Sequence, residues 1–130
     1  MNHIIISEYQ LATKLALVRG TVTPVYLLFT ATKDENGSRW CPDCSSADPI
    51  LEEAFEALPA GSQVIEVQIE RNRWKGPEGK QHPFRSPPFS VRGIPTLIAW
   101  NAKDDKVTKR FTEGECEQME MLQETFSAKV

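Results

Sequence analysis

The stretch "SRWCPDCSS", residues 38–46, sets two cysteines three positions apart with a proline and an aspartate between them. Such a pair serves a structural disulfide, a metal site or reversible thiol–disulfide exchange. A disulfide across two intervening residues closes a tiny loop and removes little chain entropy, so a staple is disfavoured. Zinc is the more serious rival, since Cys41, Cys44, Cys116 and His82 would formally make a Cys3His set. Cys116 and His82, however, stand alone, far apart in the chain and on different expected elements. Exchange needs only what the stretch supplies. Pro42 suits the first turn of a helix, which puts Cys41 where free amides and the helix dipole favour an anion. The thiolate is the attacking species. Cys44 lies about one turn further on, within reach of a mixed disulfide formed at Cys41. Exchange is the favoured reading.

Asp43 works against this, because its charge opposes a thiolate at Cys41. The same carboxylate lies in the first helical turn, where the dipole favours it. An attacking thiol also works best when its pKa lies near the ambient pH. Asp43 therefore reads as a brake that leaves Cys41 a reductant of moderate reach and repels acidic protein surfaces.

The 130 residues fit one domain, 1–130, with enough chain to bury a core unaided. A composition of 40% hydrophobic and 25% charged residues is ordinary for a globular protein. The opening "MNHIIISEYQ" lacks a basic segment and a long apolar run, so neither a signal peptide nor a membrane span is expected. Three cysteines make no disulfide framework, which favours a reducing, cytoplasmic setting. A formal charge of −3 and the lack of nucleic-acid motifs argue against a nucleic-acid partner. Arg71, Arg73, Lys75, Lys80, Arg85 and Arg92 cluster against Glu78 alone, in a loop at about 71–93 rich in Pro and Gly. A solvated loop is the favoured reading; a docking surface for an anionic substrate or an acidic partner is the sharper one.

Periodicity sets the order of elements. Ile4 to Ile6 read as an edge strand, and Ser7 and Gln10 have capping-box spacing before a helix carrying Leu11, Leu15 and Val18, stopped at Gly20. "VYLLF", Val25 to Phe29, is apolar without alternation, the pattern of a buried central strand. The cysteine helix follows, with Cys44, Ala47, Leu51, Phe55 and Leu58 on one face and a kink expected at Pro49. "VIEVQI", Val64 to Ile69, reads as an alternating strand, and the basic loop as irregular with a short helical turn near Phe84. "TLIAW" and "KVTKRF" form a hairpin around "NAKDD". Thr112 and Glu115 cap a last helix with Cys116, Met119, Leu122 and Phe126 on its apolar side. The fold class is α/β, a mixed sheet with helices on both faces. Cys116 is expected to be a buried, inert thiol, with a third redox thiol as the alternative. His3 and His82 are expected at the surface, and Trp40 to shield the cysteine pair and offer substrate a flat contact.

These residues together resemble the thioredoxin-like superfamily. "WC..C", then "PIL.E" at Pro49, Ile50, Leu51 and Glu53, then "GIPTL" at Gly93 to Leu97, fall in thioredoxin order. "WCPDC", the preceding "FT.TKD.NG", and the later "WK.P" and "FR" before "V..IPTL" are similar to the thioredoxin domain-containing protein 17 family, the fourteen-kilodalton thioredoxin-related proteins. The resemblance implies a thioredoxin-like fold, with Cys41 as nucleophile, Cys44 as resolving thiol and a cis Ile94–Pro95 bond. In this superfamily that bond presents the preceding backbone to substrate and crowds metal away from the cysteines. Trp40, Pro42, Asp43, Ile94, Pro95, Arg85 and Arg92 become the expected substrate-binding set. No bound cofactor is implied. Electrons would come from NADPH through thioredoxin reductase, and substrates would be small disulfides such as cystine and selected protein disulfides. A monomer is expected.

The sequence departs from thioredoxin itself in two ways. Pro-Asp replaces Gly-Pro between the cysteines, and "VYLLF" lacks the buried acid that moves protons for the resolving thiol. Asp34, Glu35, Asp43 or a water are the candidates for that role. Two further readings stand beside the reductase: a redox-sensing binding protein whose pair gates a partner interaction without turnover, and a glutaredoxin-like enzyme using glutathione.

Overall fold

The computed structural model describes residues 1–127. Five strands form one sheet: β1 (Asn2–Ser7), β2 (Val25–Ala31), β3 (Gln63–Ile69), β4 (Thr96–Asn101) and β5 (Lys106–Phe111), in the order β1-β3-β2-β4-β5. β2 is central, parallel to β3 and antiparallel to β4, and all seven of its residues are buried. The run without alternation is explained by this position. Val25, Leu27, Phe29 and Ala31 enter one apolar cluster, and Tyr26 and Leu28 enter the other on the opposite face.

The first cluster is closed by α1 (Leu11–Val18), through Leu11 and Val18, and by Trp74, Phe84 and Val91 of the basic segment. The second is closed by α2 (Pro42–Phe55) and α4 (Met119–Ser127), whose Leu51, Phe55, Leu122 and Phe126 meet Val64, Leu97 and Phe111. Ser7 and Gln10 pair as their spacing predicts, with the Ser7 amide donating to Gln10 Oε1 at 2.9 Å, and the turn they open is 3-10 before α1 begins. α2 continues through Pro49.

The structure differs from the expectation in four places. β3 does not alternate: Val64, Ile65, Glu66, Val67 and Ile69 are all buried, because β3 lies between two parallel neighbours with both faces covered. The segment 71–93 has the expected helical turn near Phe84, a 3-10 turn at Pro83–Arg85, but also holds α3 (Arg71–Lys75) and a further 3-10 turn at Gly79–Gln81. It is anchored by buried Trp74, Phe84 and Val91, so much of this charged stretch lies against the core. His82 is 3% exposed, not at the surface; its ring accepts from the Phe84 amide and bonds Glu8 at 3.0 Å. The last helix is interrupted, a 3-10 turn at Glu115–Glu117 preceding α4, although Thr112 and Glu115 cap it as expected. Cys116 is fully buried and donates to the carbonyls of Phe111 and Pro95. Burial pushes its thiol up to about 12, assisted by nearby Glu115, Glu117 and Glu113, so it stays protonated and unreactive near neutral pH.

Candidate active site

The polypeptide approaches the cysteines through a tight turn. The Asp34 carboxylate accepts from the amides of Asn36 and Ser38 at 2.9 and 3.0 Å, and Gly37 takes the left-handed conformation (φ +80°) that closes the turn. Arg39 and Trp40 then fix the chain just before the pair. The Trp40 indole donates to the Ile69 carbonyl at 2.9 Å, which holds the ring at the rim of the site.

Arg39 is buried, and its guanidinium ties three elements together. It donates to Asp48 Oδ2 of α2 at 2.7 Å, to the Ala31 carbonyl at the end of β2 at 2.6 Å, and to Glu66 Oε2 of β3 at 3.3 Å. Glu66 also takes Gln68 Nε2 at 2.8 Å and His3 Nε2 at 2.9 Å. Burial pushes the Glu66 carboxyl up, but the His3 and Gln68 hydrogen bonds and the Arg39 charge outweigh it and hold it at about 2. His3 is thus a partner of a buried acid. Sequence reading missed this network, although an acid inside an apolar strand signals a buried partner.

Cys41 stands at the N-terminal cap position of α2 without a side-chain capping bond, and Pro42 occupies the first turn as its missing amide allows. Both cysteines are free thiols with unequal access. Cys41, 8% exposed, lines a cavity of about 250 Å³, whereas Cys44 is 0% exposed and faces inward. The Cys41 thiol donates to the Ile94 carbonyl at 3.6 Å, and the Ile94–Pro95 peptide bond is cis. Burial, then the neighbouring Cys41, pushes the Cys44 thiol up to about 12, opposed by Thr30 and the Ala31 backbone. The accessible sulfur therefore faces the cavity and the inaccessible one waits beneath it.

Trp40, Asp43, Ile94, Arg85 and Arg92 line that same cavity with Cys41, together with Lys75 of the basic cluster, Trp74 and Gly93 of the family motifs, and Glu113, which sequence reading did not single out. Glu113 lies directly over Gly93: a Cβ there would stand 1.6 Å from its Oε1. Arg85 is less free than its charge suggests. Its guanidinium stacks on Trp74, 3.6 Å from the ring centroid, and donates to the carbonyls of Gly79, Arg92 and Trp74. Arg92 is exposed and in no ion pair among the described residues. Asp34, Glu35 and Asp43, candidates for the missing buried acid, are all exposed. No group of three or more His, Cys, Asp or Glu side chains is placed to hold a metal among the described residues.

A helix that begins at a C-x-x-C pair, beside a cis-proline and after the central strand of such a sheet, marks a thioredoxin-like protein. Thioredoxin O1 from Arabidopsis thaliana, in its oxidized state, matches with a TM-score of 0.62 over 98% of this chain and 100% of its own, at 16% identity, a likeness of fold. The chain belongs to the family described as thioredoxin domain-containing protein 17-like, thioredoxin domain, whose model matches residues 6–128. It is 31% identical to thioredoxin domain-containing protein 17 of Homo sapiens over 104 residues, 79% of this chain and 77% of the relative. It is 36% identical to the thioredoxin-like protein Clot of Oryza sativa over 81 residues, 57% and 56% of the two chains. Membership points to thiol–disulfide oxidoreductase chemistry without a bound cofactor, the class that uses disulfide substrates and reductase partners. No helix among the described residues is long and apolar enough to cross a membrane.

Proposed function

We propose that this chain is a single-domain, cytoplasmic disulfide reductase that acts on small disulfides such as cystine and on selected protein disulfides. Electrons come from NADPH through thioredoxin reductase. The observation that carries this reading is the unequal access of the two sulfurs at the floor of a cavity beside Ile94 and Pro95. The Cys41 thiolate attacks one sulfur of R–S–S–R, forming Cys41–S–S–R and releasing the first thiol. Cys44 then attacks Cys41, the bond to the second R–S breaks, and that sulfur leaves carrying the proton Cys44 gives up. The protein is left as a Cys41–Cys44 disulfide, which the reductase returns to two thiols.

The cavity's size and mixed charge support a small zwitterionic substrate. Arg92 offers a cation to a carboxylate, and Asp43 and Glu113 offer anions to an ammonium group, around the attacking sulfur. Arg85 contributes chiefly by holding the cavity wall, since its donors are committed to carbonyls. Arg92→Glu is therefore expected to raise the KM for cystine about fivefold at low salt, with the effect shrinking as salt screens the charge. A KM equal to wild type at every salt concentration removes Arg92 from the substrate site.

The reading as a whole is tested by NADPH consumption with thioredoxin reductase and this protein, supplied with either cystine or insulin. Fast cystine turnover with little insulin reduction is expected. Comparable activity on both marks a general thioredoxin. No turnover on either, with the pair still reversibly oxidisable, overturns the proposal in favour of a redox sensor that gates a partner.

A further inference from the structure

β2 ends beneath the first turn of α2. Thr30, near that end, lies on the same face of the strand as Tyr26 and Leu28 and is 1% exposed. Its hydroxyl makes no hydrogen bond with the described residues. Buried polar groups are almost always paired, so an unspent donor at this depth calls for a partner that arises during the reaction. Cys44 packs in the same apolar cluster as Ala31 at the end of that strand, and Thr30 and the Ala31 backbone both favour the charged form of its sulfur. Arg39 clamps the end of the strand by binding the Ala31 carbonyl at 2.6 Å, which fixes both donors.

Among the described residues the one buried acid is committed elsewhere. Glu66 is buried, but its Oε1 is taken by His3 and its Oε2 by Arg39 and Gln68. Asp34, Glu35 and Asp43 are at the surface. We propose that Thr30 is a catalytic residue of the resolving step, its hydroxyl donating, with the Ala31 amide, to the Cys44 sulfur as that sulfur becomes an attacking thiolate. This rests on the reductase reading above.

The charge around Cys44 gives the step its timing. In the dithiol, burial and the adjacent Cys41 both disfavour a Cys44 thiolate. Once Cys41 is bonded to substrate sulfur it carries neither a proton nor a charge, and its opposition ends. Burial then stands against the two donors alone, with the Arg39 cation behind the Ala31 carbonyl and the Glu66 and Asp48 carboxylates paired to it. Asp43, on the exposed side of the same turn, and Glu113, Lys75, Arg85 and Arg92 around the cavity over Cys41 are the other nearby charges. In the step itself the Cys41–Cys44 bond forms and the Cys41–S–R bond breaks. The two protein sulfurs become the oxidised disulfide, the departing sulfur is reduced, and the Cys44 proton ends on that leaving thiolate.

The test uses dithiobis(nitrobenzoate), which releases one coloured thiolate when Cys41 attacks and a second when Cys44 resolves. Thr30→Val keeps the branched shape and removes the donor. Mixed rapidly with the reagent, this variant is expected to show the first release at the wild-type rate. The second should be slowed about tenfold or more at neutral pH, the scale of a lost hydrogen bond to a charged atom, and its pH midpoint should rise. Thr30→Ser should restore the second phase. Thr30→Ala supplies a donor-free variant if valine disturbs packing. Wild-type kinetics in both phases for the donor-free variants overturns the proposal, as does equal slowing of the two phases, which is the mark of a merely structural role. A wild-type protein that shows no second release overturns both this role and the reductase reading.

Discussion

Cys41→Ser abolishes disulfide reduction, lowering turnover by on the order of 10³-fold or more, the scale on which loss of a covalent nucleophile acts. Cys44→Ser also stops turnover, by a different route. Its first attack proceeds, and the reaction halts at the mixed disulfide because the resolving sulfur is gone. The asymmetry follows from access: Cys41 lines the cavity and Cys44 is sealed beneath it. Cys116 cannot substitute for either, being fully buried and held protonated. Coupled NADPH assays on the two variants, followed by thiol counting on the product, check the prediction. Residual turnover in Cys41→Ser above that of the reductase alone contradicts it.

The second large effect is on stability. Arg39→Met leaves Glu66 buried without its cation and frees the end of β2 from α2. Breaking one side of a buried ion pair destabilises by about 3–5 kcal/mol, which for a chain of this size lowers Tm by about 10–20 °C. The double variant Arg39→Met/Glu66→Met should regain much of that loss, because the fully buried carboxylate goes with its cation and the Asp48 left behind, 25% exposed, reaches solvent. A single variant within a degree or two of wild type in thermal unfolding removes the network from its structural role. The same group makes an acid limb. Folded Glu66 titrates at about 2 against an ordinary value of 4.5. Its contribution is therefore complete above about 4.5 and is lost as pH falls from there towards 2. In Arg39→Met the carboxylate loses its cation, so its contribution shrinks and the acid limb, still starting near 4.5, ends at higher pH.

What the sequence made legible was local. The C-x-x-C pair, Pro42 in the first turn, the apolar run of β2 and the two capping boxes each sit within a few residues of the partner that gives them meaning. The family motifs extended this to the cis Ile94–Pro95 bond, which no spacing reveals. The buried polar network was hidden because its members are far apart in the chain. Arg39 meets Asp48 nine positions on, but Glu66 twenty-seven on, and Glu66 meets His3 across sixty-three. His82 was hidden for a different reason. Pro, Gly and charge around it read as solvent, while in the fold Trp74 and Phe84 carry the segment against the core, with Glu8 of a distant turn supplying the partner. Thr30 stood in the sequence only as part of the "FT.TKD.NG" motif, with no sign of a role of its own, since threonine is an ordinary strand former. Only its burial without a partner sets it apart.

The central claim is that Cys41 attacks and Cys44 resolves. It is tested most directly by incubating reduced Cys44→Ser with cystine and measuring the intact mass, then locating the adduct by peptide mapping. The account predicts one half-cystine per chain, bonded to Cys41, released by dithiothreitol, and none on Cys41→Ser. An unmodified Cys44→Ser protein, or an adduct on Cys116, contradicts it.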